Sequence, residues 1–482
     1  VRVLFASAIV LIGLGTSLAL PRAELSTRGT RSQRSRPYGL EKPGFVQLSS
    51  ATCAAAACHG GGRTGTPRSE HTTWSPDAVE EGPADPHARA YRVLFNADSV
   101  RIARAMNRPA AHTDELCLKC HSVAGVKPAE AVIEGVGCGA CHGPAEKWLT
   151  SHTRPDWKGL SSREKHEQGF VPLQNLVNRT LVCASCHVGD ADREVDHDLI
   201  AAGHPRLAFE SSSYHHHPDY RRHWEERTPR GEFAVRSWVV GQAATLRAAT
   251  DLLRARAERA NEKAGAWPEF SGYSCSSCHH RVWREVFSTL TSSKRTVGLP
   301  GWETWSNTAV GLAGKFCPEV YPEVSTPTLP ELSRLREVMK KRSPDPASVA
   351  RQARLAAAEL DDWLARLQAA EDGPPSALPR ADTARRFLLE LAGNALTEDG
   401  KALADPDWDA LAANYLGCDA MSRASGPLGI APLDRARAAL KVPVAGRQRF
   451  DKIVGFGTAE REEVRKSFGS LIELPGPREK PR

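Results

Sequence analysis

Aromatic residues make up only 6% of this 482-residue chain. Mean hydropathy is low as well, at −0.41. A chain of this length has room for two or three domains. It nevertheless holds little bulky apolar material from which to build their cores. Residues 44–296 are short on strand patterns and rich in histidine, proline, glycine and short helical stretches. A mainly α fold with much irregular structure is therefore expected there. The apolar run Val3–Leu20 follows Arg2 and ends in Ser17-Leu18-Ala19, a small-x-small cleavage pattern. Residues 1–22 read as a secretory signal peptide. No cysteine lies near the run, which argues against a lipid-modified anchor. The run is slightly short for a membrane-spanning helix, so an uncleaved tether stays open as an alternative.

Cysteine is what the chain has in quantity. Ten of its twelve cysteines fall into five motifs that each end in histidine. Four have the form Cys-x-x-Cys-His: Cys117/Cys120/His121, Cys138/Cys141/His142, Cys183/Cys186/His187 and Cys275/Cys278/His279. The fifth, Cys53/Cys58/His59, has four residues between its cysteines. Composition alone predicts ~0.01 copies of the strict motif in such a chain. Its chemistry is specific: two thiols add to the vinyl groups of one haem, and the adjacent histidine ligates the iron. Zinc sites need four closing ligands and no histidine after every second cysteine. Iron–sulfur sites use other spacings, and a thioredoxin-like pair would not recur. A disulfide is the bland alternative at Cys53/Cys58. Five covalently attached haem c groups are expected. Large flat apolar cofactors would supply the missing core, and haem attachment after export agrees with the signal peptide.

The formal charge is +7. Two propionates on each of five haems would bring about ten negative charges and leave the holoprotein near −3, which removes the case for a nucleic-acid partner. The basic stretch Arg28–Arg36 lies in a Ser/Arg/Gly-rich segment, 23–43, read as a solvated linker. After the pentahaem domain, 44–296, come a Pro-rich connection, 297–346, and a helical C-terminal region, 347–482. One long helix is expected over 233–261, from Val235, Val239, Leu246, Leu253 and Ala257. An amphipathic helix is expected over 349–367, with further helices near 381–396 and 406–417. No haem motif or catalytic constellation is legible beyond residue 300. Cys317 and Cys418 are left over, as a disulfide or as buried thiols.

A second histidine on an iron makes a low-spin electron-transfer site, whereas an open position could bind a small molecule. Seventeen histidines less five proximal ones leave twelve for at most five positions. His215, His216 and His217 read as solvated or propionate-contacting. His71, His166, His223 and His280 are fallback ligands. Arg206, Arg281 and Arg284 are candidates for propionate pairing.

The stretch from Gly135 through Cys138 and His142 to Pro144, followed by His152, resembles the central motif of multihaem cytochromes of the cytochrome c-552/c-554 type. His87-Ala88-Arg89-Ala90-Tyr91 is similar to that family's histidine segment after its first haem, and Asp196–Leu207 is similar to a further segment. The resemblance spans about residues 45–285. It implies a haem-packed, mainly α fold with haems in close pairs, acting as a wire. It implies distal ligands from remote segments: His87 for the third haem, His152 for the first, and His197 and His204 for the fourth and fifth. His112, four residues before Cys117, would cap its own haem. Since one family haem is five-coordinate, the haem of His121 could instead be open. The chain departs from the best-known members in its fifth motif, and in lacking a matching histidine before Cys183.

The expectation is an exported or periplasmic pentahaem cytochrome that relays electrons between redox partner proteins, one of which could be a membrane-bound electron-transfer complex. The alternative is an oxidoreductase acting on a small nitrogen or sulfur compound at one open haem.

Overall fold

The computed structural model describes residues 44–61, 69–75, 85–123, 126–127, 133–217, 220, 222–226, 228–275, 278–279, 301–373, 381–398, 401–402, 407–426, 429–442 and 458–474. The signal peptide, the linker, His280, Arg281 and Arg284 lie outside the described residues.

The architecture is mainly helical. Strands among the described residues are two short pairs. Gln47–Leu48 runs parallel to Val126–Lys127, and Thr397–Glu398 runs antiparallel to Lys401–Ala402. The expected long helix spans Arg230–Asn261. Val235, Trp238, Val239, Leu246 and Ala257 on it are buried, so its apolar stripe faces inward as the periodicity requires. It packs against Leu176–His187, Val310–Val320, Pro346–Asp372 and Trp408–Ser425.

The amphipathic helix of the C-terminal region spans Pro346–Asp372. Asp345 caps it by accepting from the Ser348 N–H at 2.8 Å, and Pro346 sits where its missing N–H costs nothing. Helices Ala381–Leu396 and Trp408–Ser425 follow. The Pro-rich connection has regular structure among its described residues. It forms helices Val310–Val320 and Pro330–Met339, with Val310, Phe316, Leu332 and Leu335 buried. Pro330 opens its helix, a position that tolerates proline.

One apolar cluster runs from Leu176 to Leu471. Residues 44–174 bury far less, in two small groups: Leu94 with Ala103 and Ala111, and Ala145 with Trp148 and Trp157. The attachment motifs thus concentrate where side chains supply the least core. Charged contacts join residues 206–247 to the C-terminal helices. Arg206 Nη1 donates to Asp409 Oδ1 at 2.7 Å, with the two side chains 8% and 1% exposed. Arg247 Nε donates to Asp361 at 2.6 Å. Arg236 and the Tyr321 hydroxyl both donate to Glu371, each at 2.6 Å. Cys317 and Cys418 are separate buried thiols. Trp363 Nε1 donates to the first at 3.5 Å, and the second donates to the Leu388 carbonyl at 3.7 Å. No helix among the described residues is long and apolar enough to cross a membrane.

Candidate haem sites

Each motif closes on its histidine through the backbone. Cys117–His121 ends the helix Glu115–His121, capped by Asp114, which accepts from the Leu116 N–H at 3.0 Å. Cys138–His142 is one helical turn. Cys183–His187 ends Leu176–His187, capped by Asn175. In the last motif the His279 N–H donates to the Cys275 carbonyl at 2.8 Å. The wider Cys53/Cys58 motif reaches the same closure, with the His59 N–H on the Cys53 carbonyl at 3.2 Å. Its two extra residues are taken up in a turn, where Cys58 N–H bonds Ala55 O at 2.8 Å.

The glycines around Cys138 have a steric reason. Gly143 has φ +83°, and a Cβ there would lie 2.1 Å from the Gly169 carbonyl oxygen. Gly135 has φ +79°, and a Cβ would lie 2.6 Å from the His87 carbonyl oxygen. That carbonyl accepts from the Val136 N–H at 2.9 Å. The glycine turn therefore holds the His87 segment against the third motif.

Four motif histidines each face a second imidazole. His59 faces His152 with ring centres 6.2 Å apart and planes at 17°. His142 faces His223 at 6.1 Å and 52°. His187 faces His87 at 6.1 Å and 89°. His279 faces His197 at 6.3 Å and 21°. Direct stacking needs far closer rings. Two metal–nitrogen bonds of about 2.0 Å, plus the span from each nitrogen to its ring centre, place collinear imidazoles on one iron about 6.2 Å apart. The four gaps fit an iron between the rings. Among the described residues no group of three or more His, Cys, Asp and Glu side chains could hold a metal ion. Pairs without further protein donors suit a metal whose equatorial ligands belong to a macrocycle.

Hydrogen bonding sets which ring nitrogen is available. The Nδ1–H of His121 donates to the Ala90 carbonyl at 2.9 Å. That of His152 donates to Trp148 O at 3.1 Å, and that of His87 to the buried Asp85 Oδ1 at 2.8 Å. His59 donates to Glu70 at 3.2 Å and His204 to Pro205 O at 2.8 Å. Each bond fixes the ring and leaves Nε2 for a metal. Burial pushes His142 down to about 4, with the charges of His223 and His59 adding to the effect. Burial pushes His187 down to about 3, followed by His87 and His121. Neutral imidazole is the form that binds iron.

The second motif has a different neighbour. Burial lowers His204 below the ordinary histidine range, its bond to Pro205 opposes this, and the nearby His121 adds to the lowering. His112 stacks on Phe95, ring centres 4.3 Å apart at 18°, and its carbonyl accepts from the Tyr91 hydroxyl at 3.4 Å.

Several expectations are corrected by these placements. His87 lies opposite the fourth motif, not the third. His204 feels the charge of His121, and no ring contact pairs it with the fourth or fifth motif among the described residues. His112 is stacked on Phe95. His152 and His197 stand opposite the first and fifth motifs. His223, a fallback in the sequence, fills the place opposite His142, and its only sequence signal is an aromatic setting beside Tyr220 and Trp224. His71 lies against Trp74 at 5.5 Å, and His166 is buried. His215 is not solvated: it is 2% exposed, packed between Phe233 and Tyr220, with Nδ1 donating to Ser211 O at 2.6 Å. Arg206, a candidate for propionate pairing, is paired with the Asp409 carboxylate.

The motifs also approach one another. Cys53 lies close to Cys138, and Cys120 close to Cys186. Cys141 lies close to Cys183 and Cys186. The first site therefore neighbours the third, the third the fourth, and the fourth the second.

Residues 52–143 match the family model of cytochrome c554 and c-prime. The chain thus carries a c-type cytochrome domain, with covalently attached haem c and a role in electron transfer. No curated protein and no solved structure matches it.

Proposed function

We propose that the chain is an exported pentahaem c-type cytochrome that relays electrons between redox partner proteins. The haems would be attached at Cys53/Cys58, Cys117/Cys120, Cys138/Cys141, Cys183/Cys186 and Cys275/Cys278. Proximal ligands would be His59, His121, His142, His187 and His279. Their distal partners, in the same order, would be His152, His204, His223, His87 and His197.

The observation that carries this reading is the set of four imidazole pairs at 6.1–6.3 Å, all of which lie at least partly outside residues 52–143. Bis-histidine iron supplies reversible one-electron chemistry and leaves no position for a substrate. The chain's own part is to hold ten imidazoles, fix their tautomers through Nδ1, and keep water from the buried rings. The residues before 44 would direct export to the periplasm, either cleaved or retained as a tether. Partners would be soluble redox proteins or a membrane-bound complex.

Intact-mass analysis of the mature protein tests the count. Five added haem groups are expected. Four, with free thiols at Cys53 and Cys58 or at Cys275 and Cys278, would remove the pentahaem reading.

A further inference from the structure

We propose that the outer face of residues 89–108 is a docking surface for an acidic redox protein, placed over the second motif. The inference rests on the reading that this motif holds a haem. It adds where one electron-transfer partner binds and by what chemistry.

The layer that covers the second motif is thin and has two sides. The turn Arg92–Phe95 and the helix Ala97–Ala105 meet at a corner, where Asn96 caps the helix by accepting from the Ser99 N–H at 2.7 Å. The Ser99 hydroxyl donates to the Val93 carbonyl at 2.8 Å and ties the two elements together. On the inner side Leu94, Ala103 and Ala111 are buried, and Cys117 and Leu118 pack against them. The Ala90 carbonyl, just before the turn, accepts from His121 at 2.9 Å. The outer side leaves Val93, Phe95 and Val100 at 39%, 54% and 41% exposed. Three of the eight exposed large apolar side chains among the described residues thus fall within eight positions. Single apolar residues on a surface are ordinary, but a cluster with a polar rim marks an interaction site.

Charge identifies the partner. Residues 89–119 carry six cations, Arg89, Arg92, Arg101, Arg104, Arg108 and Lys119, against Asp98, Asp114 and Glu115. Arg101 pairs with Asp98 at 2.9 Å, and Arg108 pairs with the buried Asp114. Arg89, Arg92 and Arg104 are exposed and have no ion pair among the described residues. The helix His197–Ala202 meets this layer through its C-terminal end, where a Cβ on Gly203 would lie 3.1 Å from Arg101 Nη1. Its acids, Asp196 and Asp198, stand at the opposite end. On a holoprotein of about −3 overall, this local positive excess steers an acidic partner to the second motif. Transient redox complexes bury little area, so an apolar centre of three side chains inside a basic rim is sufficient.

Reduction of the haem-loaded protein by an acidic flavodoxin, followed by stopped-flow absorbance, tests the surface. The flavodoxin hydroquinone loses one electron to become its semiquinone as one ferric iron becomes ferrous. Photoreduced lumiflavin, small and neutral, reports on the haems alone. The surface predicts a flavodoxin rate that falls about tenfold or more between low salt and ~0.5 M salt. Arg92→Glu/Arg104→Glu should slow it about tenfold at low salt and flatten the salt dependence. Phe95→Ala should slow it about threefold at low and high salt alike. Lumiflavin should reduce both variants at the parent rate. An unchanged flavodoxin rate in either variant, or a rate that rises with salt, would overturn the surface. Slowing with both donors overturns it as well, because the arginines then act on the haem and not on a partner. So does a parent dimer that Phe95→Ala splits, which would give this face to a second copy of the chain. A parent with four haems and free thiols at Cys117 and Cys120 fails at the haem reading instead, and mass analysis separates that result.

Discussion

His142 and His223 face each other with ring centres 6.1 Å apart, both half-buried and far from each other in sequence. The match to the cytochrome c554 and c-prime family ends at residue 143, one position past His142. The pairing across that boundary is the ground for the proposal that His223 is the distal ligand of the third site. In His223→Ala, the oxidised protein should gain one high-spin iron signal. His112→Ala should gain none, because the proposal gives the second site to His204. High-spin iron in the second variant and not the first would reverse the assignment.

The pairs differ in the angle between their rings. His87 and His187 stand at 89°, whereas His59 and His152 lie at 17° and His197 and His279 at 21°. Near-parallel imidazoles split the iron π-type d orbitals, and perpendicular ones leave them close in energy. The fourth site should therefore give the most anisotropic low-spin electron-paramagnetic-resonance signal, and His87→Ala should remove it. Loss of a rhombic signal instead would contradict the geometry.

Arg206 and Asp409 form a buried ion pair between the haem segment and the helix Trp408–Ser425. Asp409→Ala leaves a guanidinium without its partner and should cost about 3–5 kcal/mol in denaturant unfolding. Replacing both by apolar residues, Arg206→Met with Asp409→Leu, should recover most of that loss. A double variant no more stable than the single one would show that the pair itself, and not the orphaned charge, governs stability here.

His215 gives a pH dependence whose sign can be worked out. Burial first, then the charge of Arg179, lowers it from 6.5 to about 3. The unfolded chain therefore takes up a proton near pH 6.5 that the folded chain refuses. Stability from this residue is complete above that pH and falls as the pH drops toward 3, by up to about 1.4 kcal/mol per unit. His215→Gln should be less sensitive over this window. Equal slopes for parent and variant would mean that His215 is not held neutral.

The attachment motifs, the long helix and the C-terminal helices were legible because each is a local pattern. Cys-x-x-Cys-His is five residues long, and the stripe from Val235 to Ala257 repeats with the helical period. The distal ligands were only partly legible. His152 and His197 carry local or family context, but a histidine opposite an iron is chosen by folding across long separations. His223 has no motif. The helices of the Pro-rich stretch from 297 were not legible for another reason: Pro330 opens a helix, and proline content alone does not show where in a helix a proline falls.

The central claim is that the irons sit between paired imidazoles. The low-temperature electron-paramagnetic-resonance spectrum of the oxidised, fully loaded protein tests it most directly, with and without cyanide. The account predicts low-spin signals from every haem and no change on adding cyanide. A high-spin signal that cyanide converts to low spin would contradict it, and would mark an open iron where the pairing requires a second histidine.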